Sequence, residues 1–185
     1  FATDVLLALI KDANAPVPIA FIDALRGYLI DETADKAFVA KAFVMPSERM
    51  LAEQTDTVDV DAIHRAREIL RRRIATELKS ELLNAYDANA TEGAYAPNAA
   101  DSGKRAVKNT ALAYLSLLDD TLARKQYYSA TQMTDKDAAV RVFAGKDTPE
   151  AKAIMEDFYQ TYKSDSLVVD KWLSMQATAG ENALK

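Results

Sequence analysis

Between Asp59 and Asn89 the chain contains neither glycine nor proline, while Ile63, Leu70, Ile74, Leu78, Leu82 and Tyr86 recur at steps of four and seven. Steps of that size return to one face of an α-helix, so one long amphipathic helix is expected over about Asp59 to Asn89. Such a stripe is stable in water only when other apolar surfaces cover it. The rest of the chain supplies them in the same form. No segment alternates with period two beyond four or five residues, and only five glycines and five prolines punctuate 185 residues. The expected fold class is all-α.

Shorter helices are expected on both sides. Before the long one they cover about Thr3–Asp12, Ile19–Leu29 and Thr33–Val44, and "SERMLAEQ" reads as a short turn. Pro16 and Pro18 break the first two apart by removing donors and holding their predecessors extended. The stretch "ANATEGAYAPNAADSG" gathers small and turn-forming residues, and a long loop is expected over 90–103, the segment most suited to movement. After it come helices over about Lys104–Leu118, Thr121–Ala130, Asp135–Ala144, Pro149–Tyr162 and Leu167–Ala177. Thr134 and Thr148 stand where an N-cap hydroxyl would accept a backbone N–H, Pro149 suits the first helical position, and Gly145 suits a left-handed stop. In "KRAVKNTALAYLSLL", Val107, Ala111, Tyr114 and Leu118 line one face and Leu112 and Leu115 another, so this helix should be covered on most sides. Connections of three to five residues favour antiparallel neighbours. The architecture expected is an irregular stack of helical hairpins, an α-superhelix of the HEAT or armadillo kind, with a closed bundle as the other packing open to it.

Several function classes drop out on composition. The net charge is −5 with acidic and basic residues interspersed, which lacks the basic footprint of a nucleic-acid binder. No apolar run approaches the ~20 residues that span a bilayer, and the N-terminal stretch lacks the basic region of a signal peptide. There is no cysteine, so neither disulfides nor thiolate chemistry arise. That suits a reducing compartment, and a cytoplasmic location is the expectation. A zinc peptidase site of the H-E-x-x-H type needs two histidines one turn apart, and His64 is the sole histidine. His64 and Glu68 are spaced for a shared metal but lack a third ligand. Neither G-x-S-x-G nor a glycine-rich phosphate loop occurs. No catalytic or metal-binding residue is assigned.

Two features remain as candidate contacts. "RAREILRRR" puts Arg65 and Arg72, seven apart, on one face, where they could meet an anion or a neighbouring domain. The plainer reading is a solvated face paired with Glu68 and Glu77. Asp119 and Asp120 read as helix-start charges, and Tyr127, Tyr128 and Trp172 as core or groove-lining rings. At the end, "SLVVDKWLSMQATAGENALK" carries a stripe to Trp172 and Leu173. After Gly180 it begins a further apolar turn at Ala183 and Leu184. Residues 1–185 are accordingly expected to be a single, incomplete helical domain, truncated at its C-terminal end. Trp172 and Leu184 would then mark an exposed packing face suited to self-association.

Four stretches, "DVDAIHRAREILRRRIATELKSELLNAY", "KRAVKNTALAYLSLL", "KQYYSATQMTDKDAAV" and "LVVDKWLSMQATAG", resemble the C-terminal helical region of the aminopeptidase N family, in its bacterial and plastid-like branch. The "MTD…AA" and "DKW…QAT" elements are the most specific, and the likeness runs from about Ala15 to the end. The resemblance implies a parent zinc exopeptidase that removes N-terminal residues from peptides. Its zinc site would lie in a separate catalytic domain of the same polypeptide. This region would be a non-catalytic cover that limits which peptides enter. The alternative is a stand-alone helical scaffold binding a partner protein through a concave surface; a stand-alone hydrolase is the weakest reading.

Overall fold

A computed structural model describes residues 1–91 and 95–178. Among the described residues there are eleven helices and no strand. The chain divides into two compact units, Phe1–Asp119 and Asp120–Lys185.

In the first unit α1 covers Ala2–Lys11, α2 Ile19–Ile30, α3 Lys36–Ala42, α4 Glu48–Ala52, α5 Val60–Glu77, α6 Lys79–Ala88 and α7 Ala99–Leu115. The long apolar stripe is real, since Ile63, Leu70, Ile74, Leu78 and Leu82 are all at most 2% exposed. The single helix expected over Asp59–Asn89 is instead two. Leu78 sits at φ −112°, ψ 22°, outside helical geometry, and separates α5 from α6. No proline or glycine marks this break. The two halves share α7 but otherwise serve different partners, α5 packing on α1 and α4 and α6 on α2. A bend at a buried leucine lets one stripe face both groups. The "SERMLAEQ" turn is α4, with the Ser47 hydroxyl accepting from Met50 N.

The last part of the expected loop over 90–103 is helical. Asn98 caps α7 by accepting from Asp101 N, so helix begins at Ala99. Gly103 then lies inside α7, where it permits a close approach: a Cβ there would meet Lys36 Cβ at 3.1 Å and Ala37 N at 3.3 Å. Arg105 is 3% exposed and donates to the Ala96 carbonyl and the Ser102 hydroxyl, with its guanidinium 4.7 Å from the Tyr95 ring centroid. As its sequence requires, α7 is covered on several sides, packing on α3, α5 and α6. Leu118 is the exception: it lies beyond the helix end and is exposed. Where α2, α3, α6 and α7 meet, Val39, Ala40, Ala85 and Val107 form a small buried cluster.

The second unit holds α8 over Thr121–Ser129, α9 over Met133–Arg141, α10 over Pro149–Tyr162 and α11 over Ser166–Ala177. Its pairings follow chain order, α8 with α9, α9 with α10, and α10 with α11. Thr148 caps α10 as expected, accepting from Ala151 N, and Pro149 opens the helix. Gly145 takes φ 76°. Thr134 is not a cap: α9 starts one residue earlier at Met133, with Gln132 at the cap position and no side-chain bond there. Leu184 lies outside the described residues.

Candidate functional site

The arginine run on α5 resolves into separate local tasks. Arg71 donates to Glu68 at 2.8 Å and Arg73 pairs with Glu77 at 3.1 Å, the partners expected of a solvated face. Arg72 is exposed and gives Nη1 to the Leu117 carbonyl at 2.9 Å, tying α5 to the chain just past α7. Arg65 is exposed and, among the described residues, makes no ion pair. His64 does not turn to Glu68. Its Nδ1 lies 3.0 Å from Glu48, which also accepts from Arg67 Nη1 at 3.2 Å. These two bonds, the one to His64 foremost, hold the Glu48 carboxyl below the usual carboxylate range against the opposing effect of burial.

One turn apart on α5, Arg67 and Arg71 line a groove of about 430 Å³ with Phe43, Val44, Thr110 and Tyr114. The Phe43 and Tyr114 rings meet edge to face at 5.5 Å, and the Tyr114 hydroxyl donates to the Phe43 carbonyl at 2.8 Å. Burial pushes the Tyr114 hydroxyl up to about 12, opposed by the positive charges of Arg71 and Arg67.

The second unit has its own hollow of about 510 Å³, lined by Phe143, Lys146, Lys152, Met155, Trp172 and Gln176 among others. Both of its lysines are paired, Lys146 with Asp120 at 3.1 Å and Lys152 with Asp147, while Glu156 accepts from Gln160. Asp120 stands at the α8 cap position without a capping bond, and its carboxylate meets Lys146 and Arg124 instead. Trp172 is half-buried: its ring packs on Tyr159 at 4.9 Å and its N–H donates to the Met155 carbonyl at 3.0 Å. The exposed apolar surface of α11 is Leu167 and Leu173.

The two most specific sequence elements perform packing. In "MTD…AA", Asp135 is buried and its carbonyl accepts from Gln126 Nε2 at 2.8 Å, joining α8 to α9, while Ala139 is fully buried. Lys136 donates to the Tyr127 carbonyl at 2.7 Å. Tyr127 is core, as expected, whereas Tyr128 is exposed; the Tyr127 hydroxyl donates to Asp157 at 2.6 Å, and burial and that carboxylate both push its ionisation up. In "DKW…QAT", Trp172 and Met175 seat α11 on α10. Among the described residues no group of three or more histidine, aspartate or glutamate side chains is placed to hold a metal.

The fold and these motifs define a helical-repeat domain. Residues 1–184 match the family described as "Domain of unknown function (DUF3458_C) ARM repeats", and the chain belongs to it: it is the C-terminal helical domain of the aminopeptidase N family. It is 36% identical over 167 residues to aminopeptidase N of Escherichia coli strain K12, a match covering 88% of this chain and 19% of the relative. With aminopeptidase N of Caulobacter vibrioides it shares 33% identity over 178 residues, covering 92% and 20%. The chain thus spans about a fifth of the length of these relatives. Among solved structures, Legionella pneumophila aminopeptidase A in complex with aspartic acid superposes with a TM-score of 0.80 over 97% of this chain and 23% of that one, at 23% identity, a likeness of fold.

Proposed function

We propose that this chain is the structural and gating domain of a zinc-dependent, cytoplasmic aminopeptidase, covering the catalytic chamber and limiting which peptides reach it without performing the chemistry. One observation carries the reading: the similarity to aminopeptidase N covers 88% and 92% of the chain in the two relatives. In this reading the partner is the catalytic domain of the same polypeptide, which holds the zinc. Arg65, exposed on α5, is a candidate contact with that domain, whereas Arg72 is already engaged with Leu117. Self-association of the isolated chain through the face expected at Trp172 and Leu184 belongs to the same proposal; of these Trp172 is only half-buried, and Leu167 and Leu173 are the apolar side chains exposed beside it on α11.

Co-expression with an aminopeptidase N polypeptide lacking this region tests it. Recovery of peptidase activity, with a changed preference for peptide length, is the expected result. No recovery, together with stable capture of unrelated proteins by the chain, would favour the stand-alone scaffold. The chain by itself is expected to release no product from an aminoacyl-anilide, with or without added zinc; turnover would make it a hydrolase in its own right.

A further inference from the structure

The groove on the first unit has the makings of a ligand site independent of the peptidase reading. Arg67 and Arg71 both line it, and each has one bond to a carboxylate, Glu48 and Glu68 respectively. A guanidinium carries five N–H donors, so both retain donors for another acceptor. Arg67 Nε is moreover sealed from solvent, and no described residue accepts from it. Buried donors are nearly always paired, so a guanidinium with one left over, on a residue that lines a groove, has hydrogen-bonding capacity in reserve. The groove also has an apolar lining that includes Phe43, which is buried, and Val44, which is exposed.

The geometry points to a binding site for a small monocarboxylate with a short apolar chain, its carboxylate on the guanidiniums of Arg67 and Arg71 and its chain against Phe43 and Val44. Planar guanidiniums match a carboxylate fork to fork. The charge balance favours a single negative charge. The two arginines are already partly neutralised by Glu48 and Glu68, and the cost of taking an ion out of water grows faster than its charge, so a dianion such as phosphate gains too little here to offset its desolvation.

Nitrogen–proton NMR of the chain, read at the arginine Nε–Hε resonances, tests this with sodium butyrate, acetate and phosphate at constant ionic strength. Butyrate is expected to give saturable shifts at Arg67 Nε–Hε and at the amides of Thr110 and Tyr114, acetate weaker ones, and phosphate none that saturate. Arg71→Gln should weaken butyrate by roughly tenfold, the usual consequence of losing a charged partner. Arg49→Gln, in the exposed pair with Glu53, should leave the shifts unchanged. Should Arg71→Gln fail to fold, Val44→Asp places a carboxylate at an exposed position in the mouth and should abolish the shifts. Shifts that stay linear, that survive both variants, or that are tighter for phosphate than for butyrate overturn the assignment.

Discussion

The two units of the chain pack by different rules. In the first, helices far apart in sequence meet: α1 with α5, α2 with α6, and α3 with α7. In the second, α8 to α11 pair in chain order, so α11 leans chiefly on α10. The contrast shows in single residues. In α7, Leu112 is 0% exposed and Gly103 is fitted against the start of α3. In α11 only Val168 and Met175 are buried, while Leu167 is 73% exposed and Leu173 52%. Non-local packing makes the first unit cooperative, whereas a serial stack holds each end helix by one neighbour and lets it open more cheaply.

The largest expected effect sharpens that contrast directly. Leu112→Ala in α7 should cost roughly 2–5 kcal/mol in denaturant unfolding followed by circular dichroism, because its pocket is closed on several sides. Val168→Ala in α11 should cost only about 1 kcal/mol. Equal losses would mean that α11 is as firmly held as α7.

A pair of glycines gives the next largest change. Gly103→Val must displace the Lys36 side chain and Ala37 backbone and should destabilise by roughly 1–3 kcal/mol. Gly27, in the interior of α2, has no atom within 4 Å of the place a methyl group would occupy, so Gly27→Ala should stabilise by about 0.5–1 kcal/mol. A neutral Gly103→Val would show that α3 does not press on α7.

Trp172 is the only tryptophan, and it sits on α11 with its N–H bonded to the Met155 carbonyl. Its fluorescence should therefore change at a lower urea concentration than the helical signal of the whole chain. Coincident midpoints would break the distinction between the units. The smallest effect concerns Glu48, whose two partners join α4 to α5. Its carboxyl is held below its ordinary value in the folded chain, so its contribution is present above the unfolded carboxylate pKa and fades as pH falls through the folded one. His64→Ala should raise the Glu48 titration midpoint, followed by carboxyl carbon NMR, with only a slight loss of stability because the pair is exposed to solvent screening.

Much of the fold was legible in local pattern. The all-helical class, the boundaries of α1, α2 and α10, the Thr148 cap and the left-handed Gly145 all follow from periodicity and from residues that act on their own backbone. The break at Leu78 was not, because a stripe of leucine and isoleucine reads the same whether its helix is straight or bent. Nor was the start of α7, where "NAAD" has the composition of a loop and becomes helix through the Asn98 side chain accepting from Asp101 N. The candidate groove shows the same limit. The arginine run was visible, but what sets Arg67 and Arg72 apart, Glu48 and the Leu117 carbonyl, lies elsewhere in the chain, as do the residues that complete the groove.

By itself, then, the sequence determined the helical class and most of the apolar side chains that leave water, since both depend on spacing along one chain, with the start of α7, Leu118 and Tyr128 as exceptions. Only tertiary structure decided which helices meet, where the long stripe bends and which arginines share a groove. Those outcomes depend on the shapes of distant surfaces that must fill space together, and no local pattern contains that information.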